Sequence, residues 1–502
     1  MTVSDDSQNH ILVCECPEEM RSACCCEFYK ECGGKRYCVL HYPGKDKGED
    51  FQLALSEKIK NNDFDFCGVW FPNAISLEYV FDKPIYFTGA EFTENADFSE
   101  ARFAESASFF DAKFHGEVNF RQTRFNLTTF EHAHFDEMAI FDDSEFKGPA
   151  HFKGVKFGKA VAFHRAKFSA PATFDEGQFD SHVKFTEAVF NEAVSFQGAQ
   201  FARKENAPLY YKTQSVDELR DIRWISFAAA RFKDSVVFAG NTFPDLGLTF
   251  AEAIFEKPER AMFSSVTLYP YSFFRVDVRR LNFFDVHWPI VSKRSWRESP
   301  LTLAWEREAL VVTTGLNVKH QPMGGWLPYL GITCRQLAAN AEDNNRYEEA
   351  AGFRYLAMHI KHKGRDTAAP FFPPVIQLRN LTWWYWLLSG YGERVGRAFA
   401  WLVVIWVFFA FIYWSANATW WQQKQDRTAV ATSIAPETST PSSGIRLTLP
   451  EAFIYSVSVT ALQKPEPLPA NKRAKALVLV ETIIGPLQAA LLALAIRRKF
   501  MR

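Results

Sequence analysis

Residues Phe92 to Phe114 read FTENADFSEARFAESASFFDAKF, with phenylalanine at 92, 98, 103, 109 and 114. Followed in both directions, the same residue recurs at 87, 92, 98, 103, 109, 114, 120, 125, 130, 135, 141, 146, 152, 157, 163, 168, 174, 179, 185, 190, 196 and 201. The gaps alternate five and six, apart from three successive fives between Phe120 and Phe135. A small or β-branched residue stands two places before nearly every one of them: Ala96, Ala101, Ala107, Ala112, Val118, Thr123, and so on to Ala199. An 11-residue period also suits a right-handed helical supercoil. At about 100° per residue, however, steps of five and six rotate the phenylalanine by roughly 140° and 240°, which scatters it around a helix. In an extended chain, residues i and i−2 share a face. Each small-x-Phe triplet can then point both side chains inward before the backbone turns a corner, with Gly and charged residues outside. Coils of this kind stack into a β-solenoid, each touching only its neighbours.

These units resemble the pentapeptide-repeat family, which carries a small residue at i−2 and Leu or Phe at i. The resemblance implies a right-handed quadrilateral β-helix with four phenylalanines per coil and about five coils between Phe87 and Phe201. The extra residue in alternate units departs from the family pattern and is expected to loosen one corner of each coil. The ladder stops over 202–224 and resumes at Phe227, Phe232, Phe238 and Phe243, with irregular echoes to about Trp288.

The chain has 502 residues and a net charge of −1, so more than one structural unit is expected and global charge favours no acidic or nucleic-acid partner. Between Phe87 and Phe201, 18 acidic residues face 11 basic ones. That imbalance is mild for mimicry of DNA, and no nucleic acid is expected as partner. No nucleophile elbow, phosphate loop, zinc-protease or kinase motif is present, and the expectation is a protein that is not an enzyme.

Seven of nine cysteines crowd the N-terminal segment: Cys14, Cys16, Cys24, Cys25, Cys26, Cys32 and Cys38, with His41 beside them. Residues 1–13 lack an apolar run, so a cytosolic N-terminus is expected, where disulfides are disfavoured. Thiolates and imidazole at this density favour structural zinc, and eight donors would fit two closed tetrahedral sites. A redox-labile thiol cluster, an iron–sulfur site and lipidation are the alternatives. His115, His132, His134 and His164 fall between phenylalanines and are expected on the outer surface.

At the other end, 398–423 carries no charge, and ALVLVETIIGPLQAALLALAI (476–496) holds Glu481 as its one carboxylate. Both are long enough to cross a bilayer, which takes about 20 apolar residues. Arg394 and Arg397 before the first and Arg497, Arg498, Lys499 and Arg502 after the second predict a two-pass protein of the bacterial inner membrane with both ends cytosolic. Between the spans, LTLPEAFIYSVSVTAL (447–462) resembles the pore helix of two-helix potassium channels. The pore-like segment is Ser458, Thr460, Ala461, Leu462, Gln463 and Lys464, and its filter departs from that family: ALQKPEP (461–467) stands where closely spaced glycine carbonyls would ring an ion, and Lys464 opposes a cation. Glu481 is expected to face a polar cavity, a partner subunit or the outer interface. Residues 334–363 resemble one tetratricopeptide-like helical hairpin, and LTWWYWLLSGYGERVGRAF (381–399) suggests an interfacial helix. The order of repeat, RQLxxxxEDxxxYExAxxF, LLSGYGER, span, pore-like segment and span ending RRKF is similar to that of pentapeptide-repeat membrane proteins.

The expected organisation is a Cys-rich segment (1–50), a solenoid cap (51–86), the regular β-helix (87–201), an insertion with an irregular second block (202–290), a helical connector (291–380), an interfacial helix (381–397), a first transmembrane helix (398–421), an outer loop (422–475) and a second transmembrane helix with basic tail (476–502). The function expected is a membrane-anchored binding or sensing scaffold acting on an unknown protein partner. The alternative is an oligomeric, tetrameric by resemblance, ion channel gated by the cytosolic domains.

Overall fold

The computed structural model describes residues 14–15, 23–24, 27–201, 225–243, 248–289, 327–366, 381–416, 420–422 and 446–500. They form two compact units, Met1–Asn340 and Ala341–Arg502.

The first unit is a parallel β-solenoid. Short strands, all but three of them two residues long, stack into four sheets of nine, seven, eight and eight strands, about nine turns in all. Register follows the repeat: Phe92 pairs with Phe114, Phe114 with Phe135, and Phe135 with Phe157. A coil is therefore 22 residues, and 21 where the chain passes the three successive fives. Within each triplet the first and third residues point in and the middle one points out, as in Ala96, Asp97 and Phe98. The inward rings build four columns. Phe98, Phe120, Phe141, Phe163 and Phe185 stack with centroids 4.6–4.9 Å apart, and neighbouring columns meet edge to face, as in Phe130 against Phe141 at 5.5 Å. Both arrangements are favourable for aromatic quadrupoles. Where Thr123, Thr128 and Ser144 replace the small apolar residue, each hydroxyl donates to a backbone carbonyl, of Phe98, Ala107 and Phe141 respectively.

The five- and six-residue steps make two kinds of corner. Each five-residue step after Phe87, Phe98, Phe109 and their successors closes a hydrogen-bonded turn, as in Ala90 N to Phe87 O and Ala101 N to Phe98 O. The second residue after the phenylalanine is left-handed, whether Gly89 and Gly154 or Glu100, Asp111, Gln122, Asp143 and Arg165. The six-residue corners lack this turn, and the length changes fall there. The residue missing from the 21-residue coil is lost at Asn126–Leu127, and Phe201 and Phe227, on either side of another such corner, stand 26 positions apart. The two blocks expected as separate are one solenoid, because Phe227 stacks on Phe185 at 5.1 Å and Phe243 on Phe201 at 5.2 Å.

Pairing along the solenoid begins at Asp65, which bridges to Tyr86, inside the stretch read as a cap, and the first strand is Trp70–Phe71. Leu77 stands where the phenylalanine count would continue, which hid these coils in the sequence. Helix α1 (Gly48–Lys60) closes this end, with Phe51 edge-on to Phe71. At the far end, α2 (Leu327–Asp343) supplies Asn340, whose Nδ2 donates to the carbonyls of Val278, Arg279 and Leu281. Buried Leu330, Cys334 and Leu337 accompany it.

The second unit contains α3 (Tyr347–Asp366), α4 (Leu381–Ser389), α5 (Val395–Ser415), α6 (Leu449–Thr460) and α7 (Lys472–Phe500). Helices α2 and α3 are separated by a break at Asn344–Arg346, with Asn345 left-handed. The interfacial helix is shorter than 381–397. It ends at Ser389 because Gly390, Tyr391 and Gly392 are all left-handed, at φ 57°, 61° and 73°. A Cβ at Gly392 would also lie 2.7 Å from Tyr385 Oη, so only glycine fits. Arg498 Nη1 donates to the Tyr391 carbonyl at 3.0 Å and holds this turn.

Candidate metal centre and buried carboxylate cluster

The N-terminal segment folds a two-stranded hairpin, Lys30–Cys32 against Lys35–Tyr37, turned by Gly33 and Gly34 at positive φ. Just beyond it, Cys38 and His41 come round onto Cys14 and Cys24, and their ligand atoms all lie within 4.8 Å of one another. Cys14, Cys38 and His41 are buried. The Cys38 amide donates to Cys14 Sγ at 3.3 Å, and Cys38 Sγ lies 3.0 Å from His41 Nδ1. His41 Nε2 lies 2.9 Å from the Cys67 carbonyl. With the Nε2 proton on that carbonyl, Nδ1 is left as the ligand, the outer hydrogen bond that commonly fixes a metal-bound imidazole. Three thiols and an imidazole could therefore hold a metal. Of the eight donors expected, the structure gathers these four into one group. Cys32 is exposed on the hairpin and outside the group, and Cys16, Cys25 and Cys26 lie outside the described residues. Cys67 contributes its carbonyl alone: burial, aided by the hydrogen bond to Asp65, pushes its thiol up to about 12.

This group sits on the first coil. Leu40, fully buried, lies between two of the ligands, and its carbonyl accepts from Trp70 N at 3.0 Å. Lys47 is buried beneath, donating to the carbonyls of Val39 and Leu40 with its ammonium 4.6 Å from the Phe51 ring. The sequence reading missed Lys47, since one lysine in KDKGED carries no pattern.

Of the repeat histidines, His115 lies on the outer face with Nδ1 2.6 Å from Asp136 and Nε2 3.1 Å from Glu91, one acid on each adjacent coil. Partial burial pulls its pKa down, but the two hydrogen bonds outweigh this and the net shift is upward. A raised folded value means that the clamp stabilises fully below the ordinary histidine range and is lost as pH rises through the folded value. Titration of the His115 ring protons by NMR is expected to give a midpoint above the ordinary histidine value, falling back when Asp136 and Glu91 are replaced by Asn and Gln. A midpoint unchanged by those replacements would remove the clamp.

In the second unit, α5 and α7 are long and apolar enough to cross a membrane, and only 22% and 17% of those stretches are buried within the unit. Their outward residues include Phe399, Val404, Val407, Phe408 and Phe411 on α5 and Leu479, Ile483 and Leu487 on α7. A soluble core helix would bury this surface. Helix α6 starts with a capping box, Thr448 with Glu451, and Pro450 in its first turn, and packs between the two. Glu481 is fully buried there, accepting from Tyr413 Oη at 2.5 Å and from Ser456 Oγ. It therefore faces neither the outer interface nor a partner subunit, because two hydroxyls from α5 and α6 already satisfy it. Tyr413 lies 68 residues from Glu481 and Ser456 lies 25, so neither was legible as its partner. Glu481→Ala is expected to loosen the three-helix unit by about 1–3 kcal/mol for each buried hydroxyl left unpaired. Glu481→Gln, which can bond both, should cost clearly less; detergent melting of the two variants checks this.

Of the pore-like residues, Thr460 accepts from Trp406 Nε1 at 3.1 Å and Ser458 Oγ donates back to Ile454 O at 2.8 Å. Ala461, Leu462, Gln463 and Lys464 are exposed, with Leu462 left-handed at φ 58°.

The stacked coils with small-x-Phe triplets define a β-solenoid built on pentapeptide repeats. A family model described as pentapeptide repeats (9 copies) matches residues 87–134, 109–156 and 152–200. No curated protein matches the chain, and no solved structure does.

Proposed function

We propose that the chain is a non-enzymatic binding or sensing scaffold, anchored in the bacterial inner membrane by α5 and α7, whose solenoid walls recognise a protein partner. The observation that supports this reading is the filled interior. Four columns of stacked rings occupy the axis of the solenoid, so recognition falls to the outward residues, which the 22-residue register sets in straight rows such as Glu91, Lys113, His134 and Lys156. Photo-crosslinking in cells from positions 113 and 156 tests it: one common adduct is expected from both, and no adduct from either would sink the scaffold reading.

The metal we assign to Cys14, Cys24, Cys38 and His41 is zinc, which suits three thiolates and an imidazole in a closed tetrahedron. The thiolate site argues for a reducing compartment and hence a cytosolic first unit. Charge is a poorer guide to orientation, since Lys472, Arg473 and Lys475 at one end of α7 offset Arg497 and Arg498 at the other. Protease protection of right-side-out vesicles tests the orientation. A second reading, an oligomeric channel, draws support from the seat of α6 between the two candidate spans; single-channel recording from the reconstituted protein separates it from a silent anchor.

A further inference from the structure

The contacts of Thr460 fix how deep α6 reaches. Its partner Trp406 lies eleven residues from the start of Val395–Ser415 and nine from its end. A Cβ on Gly485 would come within 2.5 Å of the Thr460 hydroxyl, and Gly485 lies thirteen residues from either end of Lys472–Arg498. The C-terminus of α6 is therefore at the mid-depth of both candidate spans. Beyond it the chain leaves helical structure: Ala461 to Lys464 are exposed, and their carbonyls accept no backbone hydrogen bond among the described residues. The chain then returns to Leu468–Pro469, paired with Trp421–Gln422 near the start of α7.

Irregular backbone with open carbonyls does not face hydrocarbon at this depth; it is buried in protein or lines water. A lysine there has the same requirement. Among the described residues, one copy supplies neither cover, because α5 and α7 flank α6 on one side and leave Leu449, Phe453 and Ile454 of α6 exposed on the other. The geometry points to a water-filled vestibule, closed by further copies of this chain packed against the exposed face of α6, in which the 461–464 turns line the wall and Lys464 draws in small anions. Lys464 is the charge nearest to mid-depth on this turn. Glu466, two residues further along the return to Leu468, is the opposing charge. This rests on the membrane reading of α5 and α7 and gives the channel reading an ion class, anions in place of potassium.

The test uses the full chain in liposomes with Gln463→Cys, and two membrane-impermeant thiosulfonate reagents of equal size, one a sulfonate and one a trimethylammonium. Labelling above that of the unsubstituted protein is expected, faster with the sulfonate by roughly tenfold, while Val407→Cys on the lipid face stays unlabelled. Adding Lys464→Gln should bring the two rates together, and native mass spectrometry should show several copies per particle. No labelling of the Gln463→Cys variant above background, equal rates with Lys464 in place, or a single copy per particle would overturn the vestibule. Release of the protein from cell membranes by alkaline carbonate would instead remove the membrane reading beneath it.

Discussion

Protein purified without chelator is expected to carry one zinc ion per chain, and Cys38→Ser is expected to carry none. The four donors come from three separate stretches, Cys14, Cys24 and Cys38–His41, which share no helix, and the strand pair beside them is three residues long. A two-stranded hairpin is marginal in water by itself. Metal binding is thus folding free energy here, and structural zinc in finger-sized units supplies an apparent ~10–16 kcal/mol at neutral pH. Amide exchange after chelation should show loss of protection over 28–47 and, through the Leu40 and Cys67 carbonyls, in the coil beginning at Phe64. Coils beyond Phe227 should keep theirs. Cys32→Ser serves as the contrast: its thiol is exposed and outside the group, so zinc content should hold at one per chain. Full protection of the metal-free hairpin, or zinc retained by Cys38→Ser, would remove the assignment. Acidification should release the ion as the thiolates and imidazole take up protons.

Phe141→Ala should be the most damaging single truncation in the solenoid. Its ring is sandwiched between Phe120 at 4.9 Å and Phe163 at 4.6 Å, and Phe130 and Phe152 meet it edge-on. A cavity in such a column loses ring contacts on every side, and Phe→Ala in a packed core costs about 3–5 kcal/mol. Because coils interact only with their neighbours, the damage should be local. Exchange protection should fall first between Phe120 and Phe163 and recover a coil or two away. Phe283 ends its column with one stacked neighbour, Phe263 at 5.5 Å, so Phe283→Ala should cost clearly less. Equal losses at the two positions would contradict a stacked, nearest-neighbour core.

The solenoid was legible because its periodicity is covalent: five- and six-residue steps of one bulky residue leave the helix no continuous face. What the spacing could not display is the division of labour among corners, since Glu100, Gln122 and Arg165 in left-handed turns look like any surface residues. The first coils were hidden by Leu77, and the continuity across 202–224 lies in ring stacking between residues more than 40 positions apart, Phe185 on Phe227. Four metal donors were within the proposed set, but which four is decided by how the hairpin and Cys38–His41 fold back on Cys14. The role of Glu481 depended on two hydroxyls from other helices, and no spacing rule connects 413, 456 and 481.

The two kinds of corner also make the solenoid a tolerant host for foreign sequence. The hydrogen-bonded turns admit only their set length, because the left-handed residue and its closing amide must fall in place. The open corners already accept one residue fewer at Asn126–Leu127 and 20 more between Phe201 and Phe227, which stand 26 positions apart instead of six. An epitope or a whole reporter domain spliced between Asn126 and Leu127 should leave the rings above and below in line, whereas the same splice between Thr88 and Gly89 should split the stack. Natural variation in chain length, and any engineered display on this framework, is thereby channelled to alternate edges of the column.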